Sequence, residues 1–564
     1  MRNQSMRLRM RSGHVRAALL AGVALAIGTG AVAQVQGVLE DDSAPLRMRS
    51  DYYGYAASVS PRVGYSDNIE LAPPGSEDGA ALLSTLLSGA AIYSTQRFTG
   101  IINGDLDLGF RTDNSDFYLN QNIGAASTLT VADNMLYVDF AGSTSRQLLG
   151  DNARFSENVA SARNQRANVH TYSASPYIYH EFSDQSSVQA RYRFSQVFID
   201  DENAGANPFS GNFLNDSKSH EVLASYNTGT RFDRIRVSLS GYGNRTIEDG
   251  SIIFPEFKYE QATGTAEAAI SLTSTFALSG AVGYDDIHTE TLPGVFDDGA
   301  LSGWWWRAGF TARPGRRSNV RIEYGRRYDN DFIDASLSYD ISSRLSFTAG
   351  AGQSFDTRAQ LVNSQFVDQL RMTLDFADQL RQGAALPADT VIDIANRFAY
   401  RGVTSQTAGL GVSKVAFAQL RGAYDRTEID LAGNYQNTDF GFRQNEIISG
   451  NLNVRREVSR RVTAYGGVFY RGAKTDVDQA TCLTSPFLFG FDVNAPLFDP
   501  VSACLLFALN NGRTDTIGGR IGASYRLYEN LSAFAEYSHT KRFADFDLLR
   551  YDENAAVAGL TLEF

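Results

Sequence analysis

Apolar and polar residues alternate along this chain with a period of two, in segment after segment. Val188, Ala190, Tyr192 and Phe194 form one side of a stretch whose other side is Gln189, Arg191, Arg193 and Ser195. Ile235, Val237 and Leu239 oppose Arg236, Ser238 and Ser240, and Val320, Ile322 and Tyr324 oppose Arg321 and Glu323. Ile333, Ala335, Leu337, Tyr339 and Ile341 oppose Asp334, Ser336, Ser338 and Asp340. A strand sends successive side chains to opposite faces, so this pattern predicts strands whose two faces meet different media. The segments run about 11 to 15 residues, against about five or six for a soluble strand, and that length crosses a bilayer at a tilt. Short turns (Thr95–Arg97, Ala132–Asn134, Ser183–Gln185, Pro314–Arg316, Ser342–Ser343, Tyr528–Asn530) alternate with longer polar connections. Bacterial outer-membrane barrels show this asymmetry. A count from about Tyr53 gives about 22 strands, with a range of roughly 18 to 24, and an even number returns both ends to the periplasm. Lipid tolerates no unpaired sheet edge, so the strands must close into a ring. The predicted fold is all-β: a transmembrane antiparallel β-barrel of the bacterial outer membrane over residues 52–564.

The two ends of the chain agree with that fold. Arg2, Arg7, Arg9, Arg11 and Arg16 precede the short apolar run Ala17 to Ala26, and Ala31-Val32-Ala33 offers a small-x-small cleavage pattern before Gln34. Residues 1–33 therefore read as a secretory signal cut between Ala33 and Gln34; the apolar run is too short for a membrane helix. Residues 34–51 form a short periplasmic segment, too few for an N-terminal plug domain. The last strand places Ala556, Ala558, Leu560, Leu562 and Phe564 opposite Val557, Gly559, Thr561 and Glu563. A terminal aromatic on an alternating strand resembles the signal by which the barrel-assembly machinery recognises its substrates. Leu560, Leu562 and Phe564 carry that expectation.

Composition narrows the function. The chain is rich in Gly (50), Phe (35) and Tyr (27), and only 20% of residues are charged. Its net charge is −12, and −17 once the five leader arginines are removed, which disfavours nucleic acid as a partner. Cys482 and Cys504 are the only two cysteines. In an exported protein such a pair predicts a disulfide, here within an outer loop of about 476–512. That loop is unusually apolar (Phe487, Leu488, Phe489, Phe491, Leu497, Phe498), and it either folds inward or docks on a partner. A second outer loop, about 357–400, breaks the strand pattern. Val367, Leu370, Leu374, Ala377 and Leu380 recur at helical spacing within 360–396. Such a helix either constricts the pore mouth or rests on the rim.

The residues expected to face the lumen are Arg191, Arg193, Arg236, Arg321 and Arg455 against Glu323, Asp334, Asp340, Glu536 and Glu563. Neither sign dominates, so strong ion selectivity is not expected. The six histidines form no metal-ligand spacing and no glycine loop suits a phosphate, so no metal, cofactor or catalytic site is predicted. Asp285-Asp286-Ile287-His288 contains an acid-x-His pair like one half of the site in outer-membrane aspartyl-type proteases. Solvated loop charge accounts for it better.

The first strand and its turn carry a family resemblance. Ser66-Asp67-Asn68-Ile69 followed by Leu71-Ala72-Pro73 is similar to the start of the exosortase- and exopolysaccharide-associated outer-membrane barrels, grouped with the beta-barrel porin 2 family. The resemblance implies a conduit for secretion of an exopolysaccharide or capsular polysaccharide, fed by a periplasmic polysaccharide-export apparatus. It supplies no catalytic residues, and the two unusual loops depart from it. A general diffusion porin for small solutes and a barrel-anchored surface structural or adhesion protein are the alternatives.

Overall fold

In the computed structural model the strands form one closed antiparallel ring of 22. The structure describes residues 52–564 except 114–116, 149–152, 159, 162–165, 183–184, 201–215, 230–231, 233, 250–255, 291–300, 358–409, 442, 487–497 and 511. The predicted signal cleavage between Ala33 and Gln34, the segment 34–51, the helix in 360–396 and Phe487 to Leu497 lie outside the described residues. Each strand pairs with its sequence neighbours, and β1 (Tyr52–Ser66) pairs with β22 (Tyr551–Glu563) to shut the ring. The β1–β22 ladder passes over Ser60 and Pro61, where the proline has no N–H to give. Strands run from 10 to 17 residues, and among the described residues no helix is long and apolar enough to cross a membrane.

Period two sorts the side chains onto two faces. One face exposes Val63, Leu83, Val222, Leu239 and Leu278. Aromatic residues lie on that face near both of its ends: Tyr53, Tyr93, Tyr339, Tyr424 and Tyr525 towards one rim, Tyr65, Tyr172, Tyr284, Trp304 and Trp306 towards the other. An apolar band between two aromatic belts is what a barrel presents to a bilayer. On the opposite face, charged side chains meet across an intervening strand. Arg62 of β1 reaches Asp107 of β3 (Phe98–Arg111) at 2.6 Å. Side chains converge like this on the concave side of a cylinder, so the polar face is the inner one.

The rims differ. At one rim the connections are as brief as Ser274–Thr275 or Asp425–Arg426, with Asn134, Gln185 and Asp425 taking the left-handed conformation that tight turns need. The strand ends that border the long connections 67–79, 149–165, 358–409 and 478–513 all lie at the other rim.

At that long-loop rim the ladder splits twice. Pairing between β4 (Phe117–Ala132) and β5 (Leu136–Leu148) stops at Ile123 and Thr144, although both strands continue. Pairing between β14 (Asn330–Ser342) and β15 (Leu345–Thr357) stops at Ala335 and Ala351. Above these points β5 pairs only with β6 (Arg166–Glu181), and β15 only with β16 (Leu410–Tyr424). Both hairpins leave the neighbouring wall. Phe355 and Val412 of the second hairpin pack with Tyr259, Ile287, Leu301 and Tyr328. They thereby cover the tight β13–β14 turn, in which Tyr328 and Asp329 both have positive φ.

Candidate functional site: the inner wall and an inserted segment

Arginines on the inner wall are matched to carboxylates. Arg191 contacts Asp139 at 2.8 Å and lies 3.8 Å over the Tyr177 ring; Arg193 approaches Glu221 at 3.7 Å. Arg307, on β12 (Gly303–Ala312), meets Glu267 at 2.6 Å, Glu323 at 3.1 Å and Asp334 at 3.5 Å. Arg321 joins the same cluster through Glu323 at 2.8 Å. Arg455 and Glu536 lie around the Tyr465 hydroxyl, which is hydrogen-bonded to Glu536. Arg236, Asp340 and Glu563 occupy inner-face positions in β9 (Ile235–Glu248), β14 and β22, with Arg236 exposed near its turn. Arg191, Arg193, Arg236, Arg321, Glu323, Asp334, Asp340 and Glu563 occupy alternate positions on the inner face of their strands. Arg307, Glu267, Asp139 and Glu221 belong to the same networks and had not been singled out. Their partners are set by the register of neighbouring strands, which no local pattern reports.

Asp285 and His288 fall on opposite faces. Asp285 is held on the inside by Arg327, at 2.7 and 2.9 Å, while His288 is exposed outside. No group of three or more His, Cys, Asp or Glu side chains suited to a metal occurs among the described residues.

Sequence reasoning missed a segment that, among the described residues, enters the lumen. From the split β5–β6 hairpin, residues 153–158 and 160–161 reach the wall formed by β19 (Val462–Val477), β20 (Thr514–Arg526), β21 (Leu531–Ala544) and β22. Phe155 packs on Phe469, near the middle of β19, with ring centroids 5.4 Å apart, and lies beneath Arg471. The Tyr551 hydroxyl donates to the Phe155 carbonyl at 2.6 Å and accepts from its N–H at 3.3 Å. Glu157 faces Arg520 at 3.9 Å. The Glu553 carboxylate accepts from Asn158 Nδ2 at 3.3 Å, from Ser66 Oγ at 2.6 Å and from Ser161 Oγ. Arg154 donates to the carbonyls of Leu71 at 3.0 Å and Leu548 at 2.8 Å, stitching the segment to two other loops. Burial lowers its basicity. Strand β5 lies five places from β22 around the ring, so these contacts can be made only through the interior.

The motif Ser66-Asp67-Asn68 acts beside this segment. Asp67 accepts from both the backbone N–H (2.8 Å) and Nδ2 (2.7 Å) of Asn554, and Asn68 Nδ2 donates to the Asp552 carbonyl at 3.0 Å. Asn68 also pairs with the backbone of Ala72 in both directions, folding Ile69 and Leu71 into full burial.

In the cysteine loop a disulfide joins Cys482 to Cys504, with Cα atoms 5.9 Å apart. Each cysteine sits on a short helix, α1 (Gln479–Thr484) and α2 (Pro500–Asn510). Asp478 and Asp499 cap the two helices. Hydrogen bonds from the Thr481 and Ser502 hydroxyls, respectively, and from backbone amides hold both carboxyls below the usual range. Phe498 is half-buried just before α2. Leu560 is exposed on the outer face of β22, Leu562 shares that face, and Phe564, just past the end of the strand, is exposed.

No protein-family model matches the sequence, and no curated protein matches it. Among solved structures the chain is similar to a point mutant of the ferric enterobactin receptor PfeA of Pseudomonas aeruginosa. The identity is 11% and the TM-score 0.45, covering 92% of this chain and 81% of that one. It is also similar to the ferric-catecholate import receptor Fiu of E. coli K12 (11%, TM-score 0.45, covering 92% and 82%). A third is the siderophore receptor PirA of Acinetobacter baumannii (7%, TM-score 0.45, covering 90% and 80%).

Proposed function

We propose that this outer-membrane barrel is a non-catalytic conduit that lets a hydroxyl-rich saccharide polymer leave the cell through its lumen. The observation that carries the reading is the pairing of inner-wall arginines with carboxylates, as at Arg191–Asp139 and within the Arg307 cluster. Paired charges cancel at a distance, so a polymer meets short-range hydrogen-bonding groups and no single-sign field. Ser, Thr, Asn, Gln and Tyr side chains between the pairs exchange hydrogen bonds with sugar hydroxyls as readily as with water. A periplasmic export apparatus would deliver the polymer to the short-turn rim. The test is removal of the gene followed by measurement of surface and released polymer. Undiminished polymer overturns the reading. A porin for small solutes is the second reading, favoured by the Phe155 segment, which narrows the lumen. Liposome swelling with mono- and disaccharides, with polymer secretion intact, would select it.

A further inference from the structure

One place on the inner wall breaks the pairing of positive with negative charge. Arg542, near the long-loop end of β21, is only 2% exposed. Its Nη1 donates to the Ala153 carbonyl at 3.2 Å, while its Nε and Nη2 are buried and have no hydrogen-bond partner. Its guanidinium lies 6.0 Å from the Tyr551 ring, whose hydroxyl favours its charge, while Arg154 and Arg471 are close enough to repel it. Two acids of the inserted segment and its seat are engaged elsewhere: Glu157 with Arg520, and Glu553 with the Ser66, Asn158 and Ser161 donors. Among the described residues none supplies a carboxylate to Arg542. Arg542 and Arg471 thus flank Ala153 and Phe155, Arg154 between them adds a third guanidinium, and the most buried of the three has two N–H directions unused.

A guanidinium presents parallel donors that match the two oxygens of a carboxylate or phosphate. A buried donor without a partner is a standing cost that such a ligand removes. We infer that Arg542, with Arg154 and Arg471 beside it, is an oxyanion-binding site at the outer part of the lumen, and that the cargo carries acidic groups. The inference rests on the conduit reading and narrows its cargo to an acidic saccharide. The oxyanion takes the free Nε and Nη2 edge. That edge is buried, so entry of the oxyanion requires the inserted segment beside Ala153 to shift. The oxyanion is either a sugar-acid carboxylate or a phosphate ester, and both have the same fork of acceptors.

The test uses purified full-length protein in detergent, titrated calorimetrically at constant ionic strength with trigalacturonate, inorganic phosphate and maltotriose. Saturable binding of trigalacturonate or phosphate, with none of neutral maltotriose, is expected. Binding of trigalacturonate alone assigns the carboxylate; binding of phosphate alone assigns the ester. Arg542→Gln should weaken binding at least tenfold. Arg542→Lys keeps the charge but loses the fork, and should weaken it several-fold even if the Gln variant fails to fold. No saturable binding by the unsubstituted protein, equal binding of maltotriose, or an Arg542→Lys protein that binds as tightly as the parent overturns the site. Polymer measurement in the deletion strain tests the conduit separately. A chain that binds trigalacturonate while secretion is intact retires the conduit and keeps the site.

Discussion

Replacing Phe155 by Ala should release the inserted segment without opening the barrel wall. The Phe155 ring is buried against Phe469 and sits under Arg471. Truncating a buried phenylalanine costs about 3–5 kcal/mol. The lower figure is the better choice, because water refills the space in a solvated lumen. The backbone bonds to Tyr551 and the Asn158 and Ser161 bonds to Glu553 survive the substitution. About 3 kcal/mol at about 1.4 kcal/mol per decade raises the released population roughly a hundredfold. The wall is spared because no strand ladder includes Phe155. Tyr551→Phe provides a graded companion. It removes the hydroxyl that both donates to and accepts from Phe155, about 1–2 kcal/mol, and should raise that population roughly tenfold. Single-channel recording in planar bilayers reads the effect as longer or larger openings, and heat-modifiable gel migration checks that the barrel is folded. A folded Phe155→Ala protein with parental conductance and open time would refute the claim that this segment obstructs the lumen.

Three other outcomes follow from the same structure. Arg307→Gln leaves Glu323 and Asp334 buried without their central cation, and such a loss costs about 3–5 kcal/mol. The urea midpoint followed by the fluorescence of the three tryptophans, Trp304 to Trp306, should fall accordingly. Replacing Cys482 and Cys504 by Ser should leave heat-modifiable migration unchanged while exposing the loop to protease. The lost cross-link closes a separation of 22 residues, worth about 3 kcal/mol of loop entropy, and touches no strand pair. Asp478 and Asp499 have carboxyls held below their unfolded values, so their capping contribution is complete above about pH 4. It is lost as pH falls through the lower folded values. Amide exchange in α1 and α2, corrected for intrinsic rates, should accelerate on acidification, and Asp478→Asn should remove the acid-sensitive step in α1.

Strands and faces were legible because one parity decides both. Once Val188, Tyr192 and Phe194 face lipid, Arg191 and Arg193 must face inward wherever the strand sits in the ring. Partners were not legible. Asp139 is 52 residues from Arg191 and is brought to it by the register of the strands between them. The inserted segment was hidden more deeply. No local pattern in residues 153–161 points to their seat, and Tyr551 lies 396 positions from Phe155. The helices of the cysteine loop did leave a signal. Asp499-Pro500 is a capping residue followed by proline at the first helical position.

The Asp67–Asn554 and Ser66–Glu553 bonds join positions 487 apart, the two extremities of the described chain. No shorter portion of the polypeptide contains both halves of this clasp. A nascent or truncated product therefore offers lipid a raw edge along its first strand until the final strand arrives. Completion is a single late event, and the short motif in the opening hairpin waits as the keeper for a bolt made last.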